Sequence, residues 1–144
     1  MSTSVCSTLA ISGAVVLSGG GQVSLLSPSG NNRIVAVSSG AVLSNVNNTI
    51  AGAGIIGLGG GLAVVNSGTI NANSGATLQL FGLASAVNAG KLEATSGTLF
   101  LAATVSNTGL GTILASGSSA HVLLGSATIR RFSALRYGSV YRLQ

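Results

Sequence analysis

This chain of 144 residues has no Asp and no Trp, and Glu93 is its single acidic residue. One carboxylate excludes the usual chemistry of glycoside hydrolysis, which places two carboxyl groups across the scissile bond. It also leaves too little negative charge for a calcium site, which needs several anionic oxygen ligands. Calcium-binding nonapeptide repeats carry an Asp in each copy and are excluded with it. Cys6 is the only cysteine, so neither an intramolecular disulfide nor a cysteine-based metal cluster can form. Charged residues make up 5% of the chain, and none of either sign occurs between Ile34 and Gly90. Of the six basic residues, Arg130, Arg131, Arg136 and Arg142 fall near the end. The pI near 10.9 therefore describes a tail and not a basic face. A nucleic-acid binder gathers Lys and Arg along a folded surface with aromatics between them, and no nucleic-acid partner is expected.

What the chain has instead is glycine, serine and aliphatic carbon. It holds 22 Gly and 22 Ser. Such a load alone suggests a flexible segment. Leu, Ile, Val and Phe, however, make up nearly a third of the sequence, well above the level of disordered chains. That aliphatic surface is spread evenly, which suits an elongated core. Mean hydropathy is +0.67. The most apolar window runs from Thr49 to Val65, at the short limit for a membrane-crossing helix. It is rich in Gly, which is poor in helices, and no Lys or Arg flanks it, so no transmembrane segment is expected. The N-terminus has no positive stretch before its apolar run, so it does not read as a signal peptide.

The organisation is a repeat. Val46-Asn47-Asn48-Thr49-Ile50 is followed by Val65-Asn66-Ser67-Gly68-Thr69-Ile70, then by Val87-Asn88-Ala89-Gly90-Lys91-Leu92. A looser copy runs from Val105-Ser106-Asn107 to Thr112-Ile113. The aliphatics Ile50, Ile70, Leu92 and Ile113 recur at steps of 20, 22 and 21 along the chain, and the same spacing extends to Ile11, Ile34 and Ile129. Each unit continues with a small residue, a Ser-Gly and an alternating aliphatic pair: Ala72, Ser74-Gly75, Leu78, Leu80; then Ala94, Ser96-Gly97, Leu99, Leu101; then Ala115, Ser116-Gly117, Val122, Leu124. Alternation marks half-buried strands, and Ser-Gly and Asn-x-Gly mark turns, where Gly and Asn tolerate positive φ. The two-residue Asn-Gly or Asp-Gly loops of β-hairpins are absent. The pattern predicts an all-β parallel β-solenoid with coils of about 20 residues, about seven coils in all. Equivalent residues would stack about 4.8 Å apart, with Asn66, Asn88 and Asn107 as a turn ladder. The expected interior comprises Ile50, Ile70, Leu78, Leu80, Leu92, Leu99, Leu101, Ile113, Val122 and Leu124. Residues 1–129 read as the solenoid. Residues 130–144 read as a basic non-repeat tail: a cap over the last coil, a mobile continuation, or a patch for anionic polysaccharide or lipid.

NSGTINANSGATLQL and VNAGKLEATSGTLFL resemble the repeats of bacterial autotransporter passengers and filamentous-haemagglutinin-type adhesins. The resemblance is best between Val46 and Leu124. It implies a right-handed parallel β-helix, export to the bacterial cell surface, and a role as adhesin or stalk. Neither a β-barrel translocator nor a signal peptide is read within these residues, and the last 15 do not follow the repeat, so the chain reads as a piece of a longer protein.

Few residues invite a chemical role. His121, Glu93 and one of the many serines could formally make a triad, but no G-x-S-x-G turn fixes a nucleophile. His121 and Glu93 read as outward residues, with Lys91 beside Glu93 on the same strand face. Gly57-Leu58-Gly59-Gly60-Gly61 lacks the Lys-Ser/Thr ending of a phosphate loop and reads as a wide turn replacing the Ser-Gly of its neighbours. Thr49, Thr69 and Thr112 form a row of the kind that orders water on ice-binding solenoids, but Lys91 interrupts it. No catalytic, metal-binding or cofactor-binding residue is assigned, and no cofactor is expected. The expected function is a structural or adhesive surface module whose partners are host or matrix glycans and proteins, or neighbouring coils of a longer chain. A self-assembling or ice-binding solenoid is the alternative, and a carbohydrate-active enzyme comes third.

Overall fold

A computed structural model describes residues 6–27 and 31–132, with the side chain of Phe132 excepted. Among them are fifteen strands and no helix. The chain winds through six coils of a parallel β-solenoid. The first coil contains β1 (Thr8–Ile11), β2 (Ala14–Leu17) and β3 (Gln22–Leu25). The second contains β4 (Arg33–Ala36), β5 (Ala41–Asn45) and β6 (Thr49–Gly52). In the third, β7 (Gly54–Asn66) bends through two faces before β8 (Thr69–Ala72); in the fourth, β9 (Thr77–Asn88) does the same before β10 (Lys91–Ala94). The fifth contains β11 (Gly97–Ala102), β12 (Thr104–Thr108) and β13 (Thr112–Ala115), and the sixth β14 (Ala120–Leu124) and β15 (Thr128–Phe132).

Every strand pairs in parallel with its counterpart one coil away, which gives three faces. Face one stacks β1, β4, the start of β7, the start of β9, β11 and β14. Face two stacks β2, β5, the ends of β7 and β9, β12 and β15. Face three stacks β3, β6, β8, β10 and β13. In face three Val23, Ile50, Ile70, Leu92 and Ile113 form one aligned ladder. Ile50, Ile70 and Leu92 are fully buried.

The repeat spacing is less regular than the sequence implies. The step from Val23 to Ile50 is clearly longer than the three steps that follow it along that ladder, because the chain between face-three strands varies in length while those strands themselves do not. Ile11, Ile34 and Ile129 therefore do not belong to the ladder of Ile50, as a constant spacing suggests. Ile11 and Ile34 point inward from face one, and Ile129 pairs with Val105 on face two. Of the expected interior, Leu78, Leu80, Leu99 and Leu101 are buried. Ile113 and Val122 are only half-buried, and Leu124 is 40% exposed, since these lie in the last two described coils. The described solenoid has six coils where about seven were expected. β15 carries strand pairing through Phe132. The tail from position 133, and with it the cap reading, lies outside the described residues.

Two kinds of glycine shape the corners. Gly75, Gly97 and Gly117 of the Ser-Gly corners have positive φ, which Gly adopts without steric cost. The glycines of the Asn-x-Gly corners serve differently. A Cβ on Gly90 would collide with the carbonyl oxygen of Gly68 in the coil beside it. Close coil approach, and not positive φ, requires glycine there. Gly57 to Gly61 also turn the chain, with positive φ at Gly57, Leu58, Gly59 and Gly60. This bulged bend lies inside β7, between faces one and two, and not at the Ser-Gly corner between faces three and one. In that coil the Ser-Gly corner is replaced by Gly52-Ala53-Gly54.

Candidate functional site

The most ordered polar feature is internal. Asn45, Asn66, Asn88 and Asn107 sit at the end of face two in four successive coils, all buried. Asn45 Nδ2 donates to Asn66 Oδ1 at 2.8 Å, Asn66 Nδ2 to Asn88 Oδ1 at 2.8 Å, and Asn88 Nδ2 to Asn107 Oδ1 at 2.7 Å. Each amide also bonds backbone of its own corner or of the next coil: Asn45 Nδ2 donates to Asn48 O, Asn66 Nδ2 to Gly68 O and to Lys91 O of the next coil, and Asn88 Nδ2 to Gly90 O and to Thr112 O of the next coil. Buried amides are costly unless bonded, and this file satisfies them by joining coil to coil. The first member is Asn45, one residue before the Val46-Asn47-Asn48 segment that the repeat alignment singles out. Asn47 and Asn48 do a related job: their Oδ1 atoms accept from the backbone of Gly19, Gly20 and Gly21. In coil one the ladder position is Leu17, and in coil six it is Arg131.

The outer surface is where a ligand would be met, and its three faces differ. Face three is polar. Its outward rows are Gln22, Thr49, Thr69, Lys91 and Thr112, and beside them Ser24, Asn71, Glu93 and Leu114, with Ala51 of that second row buried. Lys91 stands between Thr69 and Thr112, as the sequence implies. Thr95 Oγ1 donates to Asn71 Oδ1 at 3.1 Å and adds to this polar surface. Face two presents small aliphatics and hydroxyls, with Ser44, Val65, Val87 and Ser106 in one row ending at Arg130. Face one is the most apolar. Arg33, Ile55, Gln79, Phe100 and Leu123 form one outward row, with Phe81 beside Gln79. Phe81 is 43% and Leu123 55% exposed. Sequence reading passed over this apolar face. The signal was present in Thr77-Leu78-Gln79-Leu80-Phe81 and Thr98-Leu99-Phe100-Leu101, where large apolar groups occupy both strand parities.

The titratable candidates do not converge. Glu93 and Lys91 point outward from β10 on face three. His121 lies on β14, exposed on face one beside Thr98. The geometry does not assemble a triad from these two side chains. Cys6 is exposed, and its thiol donates to Asn31 O at 2.9 Å. No group of three or more His, Cys, Asp or Glu that could hold a metal ion occurs among the described residues. The apolar window from Thr49 to Val65 forms β6 and most of β7, and no described helix is long and apolar enough to cross a membrane.

No protein-family model, curated protein or solved structure matches the chain. What stands is the fold: a β-solenoid of about six turns.

Proposed function

We propose that this chain is a structural or adhesive module, a rigid β-helical stalk or passenger segment of a secreted bacterial adhesin of the autotransporter or filamentous-haemagglutinin kind. The observation that carries the reading is the buried file from Asn45 to Asn107, which ties four coils in one register. A rod so tied holds its shape along its axis, as a stalk must. The outward rows vary from coil to coil while the inward ladders keep to aliphatics and the asparagine file, so the surface is free to carry recognition. The repeat style of the sequence supports export and display at the cell surface. Host or matrix glycans and proteins are the partner class, and neither enzymatic turnover nor a cofactor enters the mechanism. The test is binding of the purified chain to glycan arrays and immobilised matrix proteins, alongside assays for polysaccharide hydrolysis and lyase cleavage. Saturable binding without turnover is the expected result. Turnover of any polysaccharide, or no binding to any surface, contradicts it.

The second reading is a self-assembling or ice-binding solenoid. Thr49 directly beside Thr69 favours it, but Lys91 in the next coil breaks the row. Thermal hysteresis in the chain's solutions would support ice binding.

A further inference from the structure

We infer that two copies of this chain pair side by side through face one, with their axes antiparallel. Among the described residues, Arg33 is the only one of fixed charge in the outward rows of this face, and its Nε is buried without a hydrogen-bond partner. The remainder is large and apolar, or neutral. A patch that combines exposed Phe81 and Leu123 with half-buried Ile55 and Phe100 is the kind of surface that marks an association site.

The occupant follows from the register. A flat face with a strand every 4.8 Å or so is matched along its length by the same lattice in another copy. Like surfaces meet through a two-fold axis, which makes the contact self-complementary. If that axis runs along the rods, the two Arg33 side chains meet at the same level and the cations repel. If it runs along the strands, between the third and fourth coils, each coil meets its complement in the other copy. Phe81 then lies over Gly57, its own register partner, which projects no side chain. Ile55 lies over Gln79, and Leu123 over Thr8 at the two ends. Arg33 lies over Phe100, where the ring face attracts the guanidinium. The antiparallel pairing thus places large groups against small and the lone cation against an aromatic ring.

The area sets the strength. Six strands about 4.8 Å apart and roughly 17 Å long give ~480 Å² per copy. The two copies together bury about 1,000 Å², the lower edge of a specific interface. A weak dimer is expected, with a dissociation constant on the order of tens of micromolar.

The pairing does not depend on the adhesive reading, and its test needs no ligand. Sedimentation velocity of the full chain over a concentration series should show a monomer–dimer equilibrium. Phe81→Glu should weaken it at least tenfold, with circular dichroism confirming an unchanged fold. Phe100→Glu should retain the dimer and make it salt-sensitive, because Glu would meet Arg33 of the other copy. Orientation is read by a nitroxide label on His121→Cys in a Cys6→Ser background. Antiparallel rods place the two labels on the order of 26 Å apart, and parallel rods about 10 Å, from coil spacing and face-to-face packing. A chain that stays monomeric at all concentrations, a dimer untouched by Phe81→Glu, or the short label distance each overturns the proposal. Binding of a glycan or another protein to face one, with no dimer, overturns it as well.

Discussion

Gly75 and Gly90 both sit at coil corners, for different physical reasons. Gly75 has φ +77° and open space where a Cβ would go, so Gly75→Ala should cost only the strain of a left-handed alanine, about 1–2 kcal/mol. At Gly90 the Cβ would meet the backbone of Ser67 and Gly68, and only movement of a whole coil relieves that. We expect Gly90→Ala to cost about 3 kcal/mol, the upper range of overpacking. Urea melts of the two variants check the order, and equal costs would contradict it. Asn88 is the other sensitive residue. Its removal leaves Asn107 Oδ1 without its donor and takes the donor away from Gly90 O and Thr112 O. Orphaned buried polar groups cost about 1–3 kcal/mol each, so Asn88→Ala should lose about 2–4 kcal/mol in the same assay. A loss below about 1 kcal/mol, roughly one ordinary hydrogen bond, would show that the file is ornamental to stability.

The strands on face three were legible in the sequence because two signals agree there. The aliphatic ladder Ile50, Ile70, Leu92 and Ile113 recurs, and each member follows an Asn-headed corner. Beyond that segment the signals part. Val23 lies more than one average coil before its neighbour Ile50, since a long connection follows β3, so extrapolating the later spacing backwards lands nearer Ile34, on another face. The bend inside β7 was legible as a turn but not as to which corner it makes, because glycine marks every corner alike. The Asn ladder was legible for Asn66, Asn88 and Asn107; its start at Asn45 was hidden by the extra residue between Asn45 and Thr49. The coil is also the unit in which damage travels. Leu92→Asp would place a charge in the interior beside Ile70 and Ile113, at several kcal/mol or a neutralising pKa shift. In a linear repeat each coil leans only on its neighbours. Hydrogen exchange in that variant should rise most in β8, β10 and β13 and least in β1 and β2. A uniform rise along the chain would mean that the coils do not unfold locally.

For the whole molecule, the faces separate what holds the rod together from what it shows to others. His121 and Glu93 belong to the second group, since neither joins the interior nor a shared site. Glu93→Gln and His121→Ala should each leave the melting temperature within about 2 °C, as surface changes usually do. Each should also leave surface binding within about twofold, a difference well under one tenfold step in affinity. A large loss of binding from either would reveal a site on face one or face three. The functional surface was less legible than the fold because outward residues obey no ladder rule: Phe81 and Phe100 have no counterpart in every coil. The whole fold rests on successive coils stacking in parallel, with the aliphatic ladder of face three and the asparagine file in register. Nuclear Overhauser contacts between side chains test it most directly. Methyl contacts linking Ile50 to Ile70, Ile70 to Leu92 and Leu92 to Ile113, together with exchange-protected side-chain amides of Asn66 and Asn88 in mutual contact, are the expected result. Backbone contacts of an antiparallel kind between β8 and β10, or freely exchanging Asn66 and Asn88 amides, would contradict it.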